Sequence, residues 1–182
     1  MVVIIVEGKT DSEFLQDFIE NQFEIERNIY DFKGLKGKDY IFSLHDNSMY
    51  DKIENKLDII EKILIAVDAD DPKDTCEIRG YEVTESKLSD LIKKLEYSIP
   101  IDYFIFSDKA KERGYLESFM LSVLDEDQKK CVNEFKMCYK YELTDKWVFN
   151  TFYKQRNHPF DYNHSNFAEL RKKLTNLFKE YI

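Results

Sequence analysis

The sequence predicts an α/β protein, a mostly parallel sheet flanked by helices and followed by a C-terminal helical extension. Three observations carry this. Val2 to Val6 and Ile63 to Val67 are short, unbroken apolar runs rich in β-branched residues, the pattern of strands buried on both faces. Helical patterns alternate with such runs up to about Asp108, which implies parallel pairing through crossovers. Beyond that point the alternation stops and only helical periodicity remains. The expected organisation is a sheet domain over residues 1–115, with a helical extension over 116–182 packed on the same unit.

Each element has its own justification. The first strand ends at Glu7, and Gly8 follows where the chain must turn. Thr10-Asp11-Ser12-Glu13 reads as a capping box with Thr10 as N-cap, and Phe14, Leu15, Phe18, Ile19 and Phe23 follow at helical spacing. Gly8-Lys9-Thr10 resembles the end of a phosphate loop, but Val3 stands where that motif needs a glycine. Asn28 to Phe32 predicts a short strand, and Tyr40 to Leu57 a helix for much of its length. Val83 to Leu95 predicts a helix with Val83, Leu88, Leu91, Ile92 and Leu95 on one face. Ile101 to Phe106 is a further strand. Helices are expected over Leu116 to Leu124, Asp127 to Tyr141, Asp145 to Lys154 and Asn166 to Tyr181. The last carries Phe167, Leu170, Leu174, Leu177 and Phe178 as an inward stripe.

The 182 residues suit one decorated domain, and 43% hydrophobic content with 15% aromatics is ample for a packed core. A net charge of −9 argues against holding nucleic acid by bulk electrostatics, although local lysines and a bound cation can reverse the field at one site. Cys76, Cys131 and Cys138 have neither the number nor the spacing of a disulfide framework or a zinc site. No run is long enough for a signal peptide or a membrane span, so the expected compartment is the cytoplasm, with no membrane partner.

The chemistry is expected where strands end in acids. Ile63 to Asp71 reads I-L-I-A-V-D-A-D-D, and side-chain alternation predicts Asp68 and Asp70 on one face at the sheet's lip. Crowded carboxylates repel one another unless a cation neutralises them. With Glu7 and Asp108 ending two other strands, the pattern suits Mg²⁺, and His45, His158 and His164 fall outside these strand ends. The plainer reading of the stretch is an acidic loop capping the next helix. Glu117, one turn into its helix, is a further candidate ligand or simply an exposed helical residue. Asp11 is accounted for by the helix N-terminus. Two basic loops, Lys33, Lys36 and Lys38 with Lys109, Lys111 and Arg113, are the expected contacts to nucleic-acid phosphates.

Val6-Glu7-Gly8-Lys9-Thr10-Asp11, followed by Ala66-Val67-Asp68-Ala69-Asp70, resembles the two motifs of the Toprim domain in order, strand context and spacing. The resemblance covers roughly the first 108 residues. Gly114-Tyr115-Leu116-Glu117 and Phe160-Asp161-Tyr162 are similar to small stand-alone Toprim proteins related to OLD-family nucleases. It implies a Rossmannoid Toprim-like fold and phosphodiester chemistry. Glu7 would be the general acid or base, with Asp68 and Asp70 holding Mg²⁺ or Mn²⁺. The chain lacks a strand-passage tyrosine module, an ATPase part and a zinc-binding primase module. A metal-dependent nuclease, acting on DNA or RNA in defence or repair, survives that subtraction.

Two other readings compete. A Toprim fold can bind nucleic acid or a partner protein, or form a homo-oligomer, without cutting. A receiver-like phosphoacceptor would use Asp68 as acceptor and Lys109 as charge partner. That fold wants paired acids after its first strand, and Glu7-Gly8 offers one.

Overall fold

The computed structural model describes residues 1–34, 36–44, 48–72, 77–108, 113–139, 141, 143–154 and 158–182. Strands β1 (Val2–Val6), β2 (Tyr30–Gly34), β3 (Lys62–Asp68) and β4 (Ile101–Phe106) form one all-parallel sheet in the order β2-β1-β3-β4. This is the α/β, Rossmannoid architecture the apolar runs predicted. The registers place Val6 beside Gly34 on one side and Ala66 on the other. The chain steps outward from β1 to β2, then returns past β1 to β3 and β4. The strand order therefore reverses between β1 and β3, and in open α/β sheets a crevice forms at the carboxyl ends of such a pair.

Alternating side chains divide the core in two. Val2, Ile4, Val6, Leu64, Ala66, Phe104 and Phe106 face α1 (Lys9–Gln22), α5 (Leu116–Ser122), α6 (Glu126–Cys138), α7 (Asp145–Tyr153) and α8 (Ala168–Leu177). Val3, Ile5, Ile63, Ile65, Val67 and Ile105 face α2 (Lys38–Phe42), α3 (Ser48–Glu54) and α4 (Tyr81–Leu95). The helices after residue 115 thus share one core with α1. Phe167, Leu170, Leu174, Leu177 and Phe178 are all buried there, and Phe167 stacks on Phe14 with centroids 6.3 Å apart. Lys173 adds an ion pair to Asp102 at 2.8 Å, and Lys62 Nζ donates to the Asn176 carbonyl at 2.9 Å.

Several local expectations shift. The segment expected as one helix over Tyr40 to Leu57 holds two short ones, α2 and α3, while His45, Asp46 and Asn47 between them lie outside the described residues. Helix α1 begins two residues earlier than the expected box. Its cap is Gly8, whose N–H donates to Asp11 Oδ2 at 2.8 Å, while Glu13 pairs instead with Lys9 at 3.1 Å. On α4 the buried stripe runs through Thr84, Leu88 and Leu91, and Val83 is exposed. Among the described residues, no helix is long and apolar enough to cross a membrane.

One glycine sets the geometry beneath the crevice. Gly34 closes β2 at φ +96°, and a Cβ there would stand 2.2 Å from the Val6 carbonyl oxygen. Only glycine allows that approach and that dihedral together. The turn it starts brings the Gly37 N–H to the Glu7 carbonyl at 2.8 Å, bracing Glu7 from below.

Candidate active site

Glu7 is the first residue past β1, and its carboxyl reaches across the strand gap. Its Oε1 accepts the Asp68 N–H at 2.7 Å. Asp68, the last residue of β3, turns its own carboxylate toward α5, where Oδ1 accepts the Leu116 N–H at 2.7 Å. Asp11 sits in the first turn of α1, and Glu117 in the first turn of α5, both largely buried. These four acids, brought from β1, α1, β3 and α5, line one cleft of about 430 Å³ at the reversal point of the sheet. Thr144, Asp145 and Lys146, at the start of α7, form its outer wall. Lys146 Nζ stands 4.0 Å from Glu117 Oε1.

Burial among like charges governs protonation here. Burial first, then the charges of Asp70 and Asp11, push Glu7 up to about 8 against the pull of the Asp68 N–H and Lys38. Asp68 is raised well above the usual carboxylate range by burial and by Glu7, Asp11 and Glu117. Asp11 is pushed up to about 6, by burial and then by Glu117, despite the Gly8 N–H and Lys146. Burial and crowding thus shift Glu7, Asp11 and Asp68 toward their protonated forms.

Asp70 takes a different course from Asp68. It adopts φ +61° and pairs with Gly114 through two backbone hydrogen bonds of 2.8 and 3.1 Å. Its carboxylate meets Lys38 Nζ at 2.7 Å, in a pair only 7% and 14% exposed. The same ammonium donates to the Asp68 carbonyl at 2.6 Å and to Thr84 Oγ1 at 3.0 Å. All three Lys38 donors are therefore satisfied inside the protein. Lys38 was expected on a phosphate-facing loop; the structure places it beneath the β3 end instead. The left-handed turn after Ala69 breaks the alternation that predicted Asp68 and Asp70 on one face.

The remaining basic residues are scattered. Lys33 bonds Asp31 at 2.5 Å, Lys36 lies over the Tyr40 ring, and Arg113 stands 3.7 Å from Asp71. Lys109 and Lys111 lie outside the described residues. Asp108 is held by its backbone to Arg113 and lines a separate hollow with Ser118 and Lys129. His158 stacks on Tyr153 far along the tail, and His164 Nδ1 accepts the Asn166 N–H at 3.2 Å. Glu7, Asp68 and Glu117 are thus brought together, while Asp70, Lys33, Lys36, Lys38 and Arg113 do not line the cleft. Sequence reasoning set Asp11 aside as a helix-terminus residue and missed Lys146 as a member of the cleft. Asp11 carried one signal, its place four residues after Glu7 across a tight turn. Lys146 carried none.

Comparison with protein-family models, with curated proteins and with solved structures gives no match. The chemistry of the cleft therefore rests on its own residues. Its donor set is oxygen only, which suits a hard cation such as Mg²⁺ and not zinc. Among the described residues, no three Asp, Glu, His or Cys side chains form a group that could hold a metal ion as placed. Binding an ion would require these carboxylates to draw inward, in competition with the protonation that burial favours at Asp68.

Proposed function

We propose that this chain is a Toprim-type nuclease that hydrolyses phosphodiester bonds of nucleic acid with the help of Mg²⁺. One observation supports this most. Five carboxyl groups, those of Glu7, Asp11, Asp68, Glu117 and Asp145, line one open cleft at the reversal point of a parallel sheet, where such folds bind ligands. Pure scaffolding gives no reason to gather acids at a cost in repulsion. Asp68 and Glu117 would hold the cation, with Asp11 behind them. A bound divalent cation would supply Lewis-acid stabilisation to phosphate oxygens. Glu7, pushed up to about 8, holds a proton at neutral pH that it can give to a leaving oxygen. The Asp68 N–H fixes that carboxyl's orientation. Lys146 lies at the outer wall, positioned to meet a phosphate entering the cleft.

A second reading, a Toprim-like module that binds without cutting, is favoured by one observation: Asp70 is already neutralised by Lys38. Labelled DNA and RNA incubated with Mg²⁺ or Mn²⁺ separate the two. Cleavage by the wild type, lost in Asp68→Asn and reduced by ~10²–10⁴ in Glu7→Gln, supports the nuclease. Binding of either nucleic acid with no cleavage under any divalent metal supports the module.

A further inference from the structure

Exposed large apolar side chains concentrate in one place on this molecule. Phe135, Met137 and Tyr139 at the end of α6, Tyr141 beyond it and Trp147 on α7 are all exposed, Tyr141 to 67% and Trp147 to 44%. The rings form a ladder. Phe135 and Trp147 lie 6.1 Å apart and 18° from parallel, Tyr139 lies 6.2 Å from Trp147, and Tyr141 lies 6.2 Å from Tyr139. In a chain of mean hydropathy −0.55, such a patch marks a surface that something covers.

Its surroundings indicate what. A hollow of about 570 Å³ beside Trp147 is lined by Thr144, Lys146, Trp147, Asn150, Thr151 and Lys154. It contains two lysines, three neutral hydrogen-bonding side chains, one large ring and no acid. Thr144 and Lys146 also line the acid cleft, so the two hollows adjoin at the start of α7. The groove on the other flank of Trp147 is apolar but carries Asp125 and Asp127, which repel phosphate. Of the two flanks of Trp147, the lysine side is the one whose charge favours phosphates.

We propose that the α7 hollow and the aromatic ladder seat a single-stranded nucleic acid and lead it into the acid cleft. Bases lie on Trp147 and its neighbouring rings, and phosphates meet Lys146 and Lys154. This rests on the phosphodiester reading of the cleft. A flat ring accepts any base face, but only a base already out of a duplex presents one. The inference thus names the substrate class: single strands, with little sequence preference.

Trp147 is the only tryptophan of the chain, so its emission reports directly on this surface. Wild-type protein in EDTA is titrated with a fluorescein-labelled mixed-sequence 12-mer, as single-stranded DNA, single-stranded RNA and blunt duplex, following anisotropy and Trp147 emission together. The single strands should bind and quench Trp147, and the duplex should do so far less. Trp147→Ala should weaken single-strand binding roughly tenfold, and Trp147→Phe should retain most of it. Lys154→Gln should lower the slope of log affinity against log salt by ~0.7. Trp147 and Lys154 are exposed, so circular-dichroism melts of these variants should match the wild type. Binding by anisotropy with unchanged Trp147 emission, and no effect of Trp147→Ala, overturns the inference and leaves the nuclease reading standing. Preference for the duplex overturns it as well. Quenching by strands that no divalent metal causes to be cut upholds this surface and removes the nuclease. No binding and no cleavage of any of the three removes both.

Discussion

A carboxyl group buried among other carboxyl groups keeps its proton longer than one in water, and Glu7 shows the consequence for stability. Its value is raised from 4.5 to about 8, so between those limits the folded chain binds a proton that the unfolded chain has lost. The stabilisation is complete below about pH 4.5 and is lost as pH rises through 8. In EDTA, the thermal midpoint should therefore fall between pH 5 and pH 8, and Glu7→Gln should flatten that fall. Parallel profiles for the two proteins would mean Glu7 titrates normally. Lys38 gives the complementary prediction. Removing its ammonium leaves the Asp70 carboxylate and the Thr84 hydroxyl without their buried partner. Lys38→Met should cost ~3–5 kcal/mol in urea unfolding, and adding Asp70→Asn should recover much of it. An unchanged urea midpoint would return Lys38 to the surface role its sequence suggests. That role was a reasonable reading of Lys33-Gly34-Leu35-Lys36-Gly37-Lys38, which has the composition of a solvated turn. Nothing local shows that Thr84, 46 residues on, waits for the third lysine. Glu117 was equally undecidable from one position, because a helical Glu reads the same whether its helix faces water or a cleft.

At the scale of elements, the helix α8 is an appendage in sequence but a wall of the core in space. Burying a large apolar side chain contributes about 1.5–3 kcal/mol, and the five of its stripe together exceed the margin of an ordinary domain. A chain ending at Asn163 should be insoluble or partly unfolded, as judged by solubility and circular dichroism. A soluble, equally stable monomer would show that α8 is dispensable. This much was legible, because a stripe at helical spacing has to be buried somewhere. So were the strands: five or more β-branched and apolar residues bounded by acid and glycine have few alternatives. The caps and breaks were less so. The box at Thr10 and the cap at Gly8 differ by two residues, and both satisfy the same spacing rule; a backbone N–H pointing at Asp11 decides between them. Likewise the periodicity over Tyr40 to Leu57 does not reveal that the helix is interrupted. Val83 fits the α4 stripe by spacing, yet Thr84 takes the inward place because Lys38 and the Ala69 carbonyl stand there to bond it.

The whole molecule carries a net charge of −9, with a local excess of acid gathered in one cleft. A cation that binds the folded form alone stabilises it by mass action, ~2.7 kcal/mol at a hundred times its dissociation constant. Mg²⁺ should therefore raise the thermal midpoint at pH 8, and Asp68→Asn with Glu117→Gln should abolish the rise. An equal response in that double variant would place the ion elsewhere. The cleft's existence was legible from strands ending in acid, but its membership was not, since it depends on which helix starts the sheet order brings alongside. That order has a temporal side. Asp68 finds its partner in the Leu116 N–H, and Glu117 follows directly, so the cleft needs both ends of a span from Glu7 to Glu117. A ribosome adding ~5–20 residues per second takes many seconds to cross such a span. From the moment Asp68 is made until Glu117 is added, the growing chain carries Glu7, Asp11 and Asp68 without Glu117, and its acid cleft is unfinished.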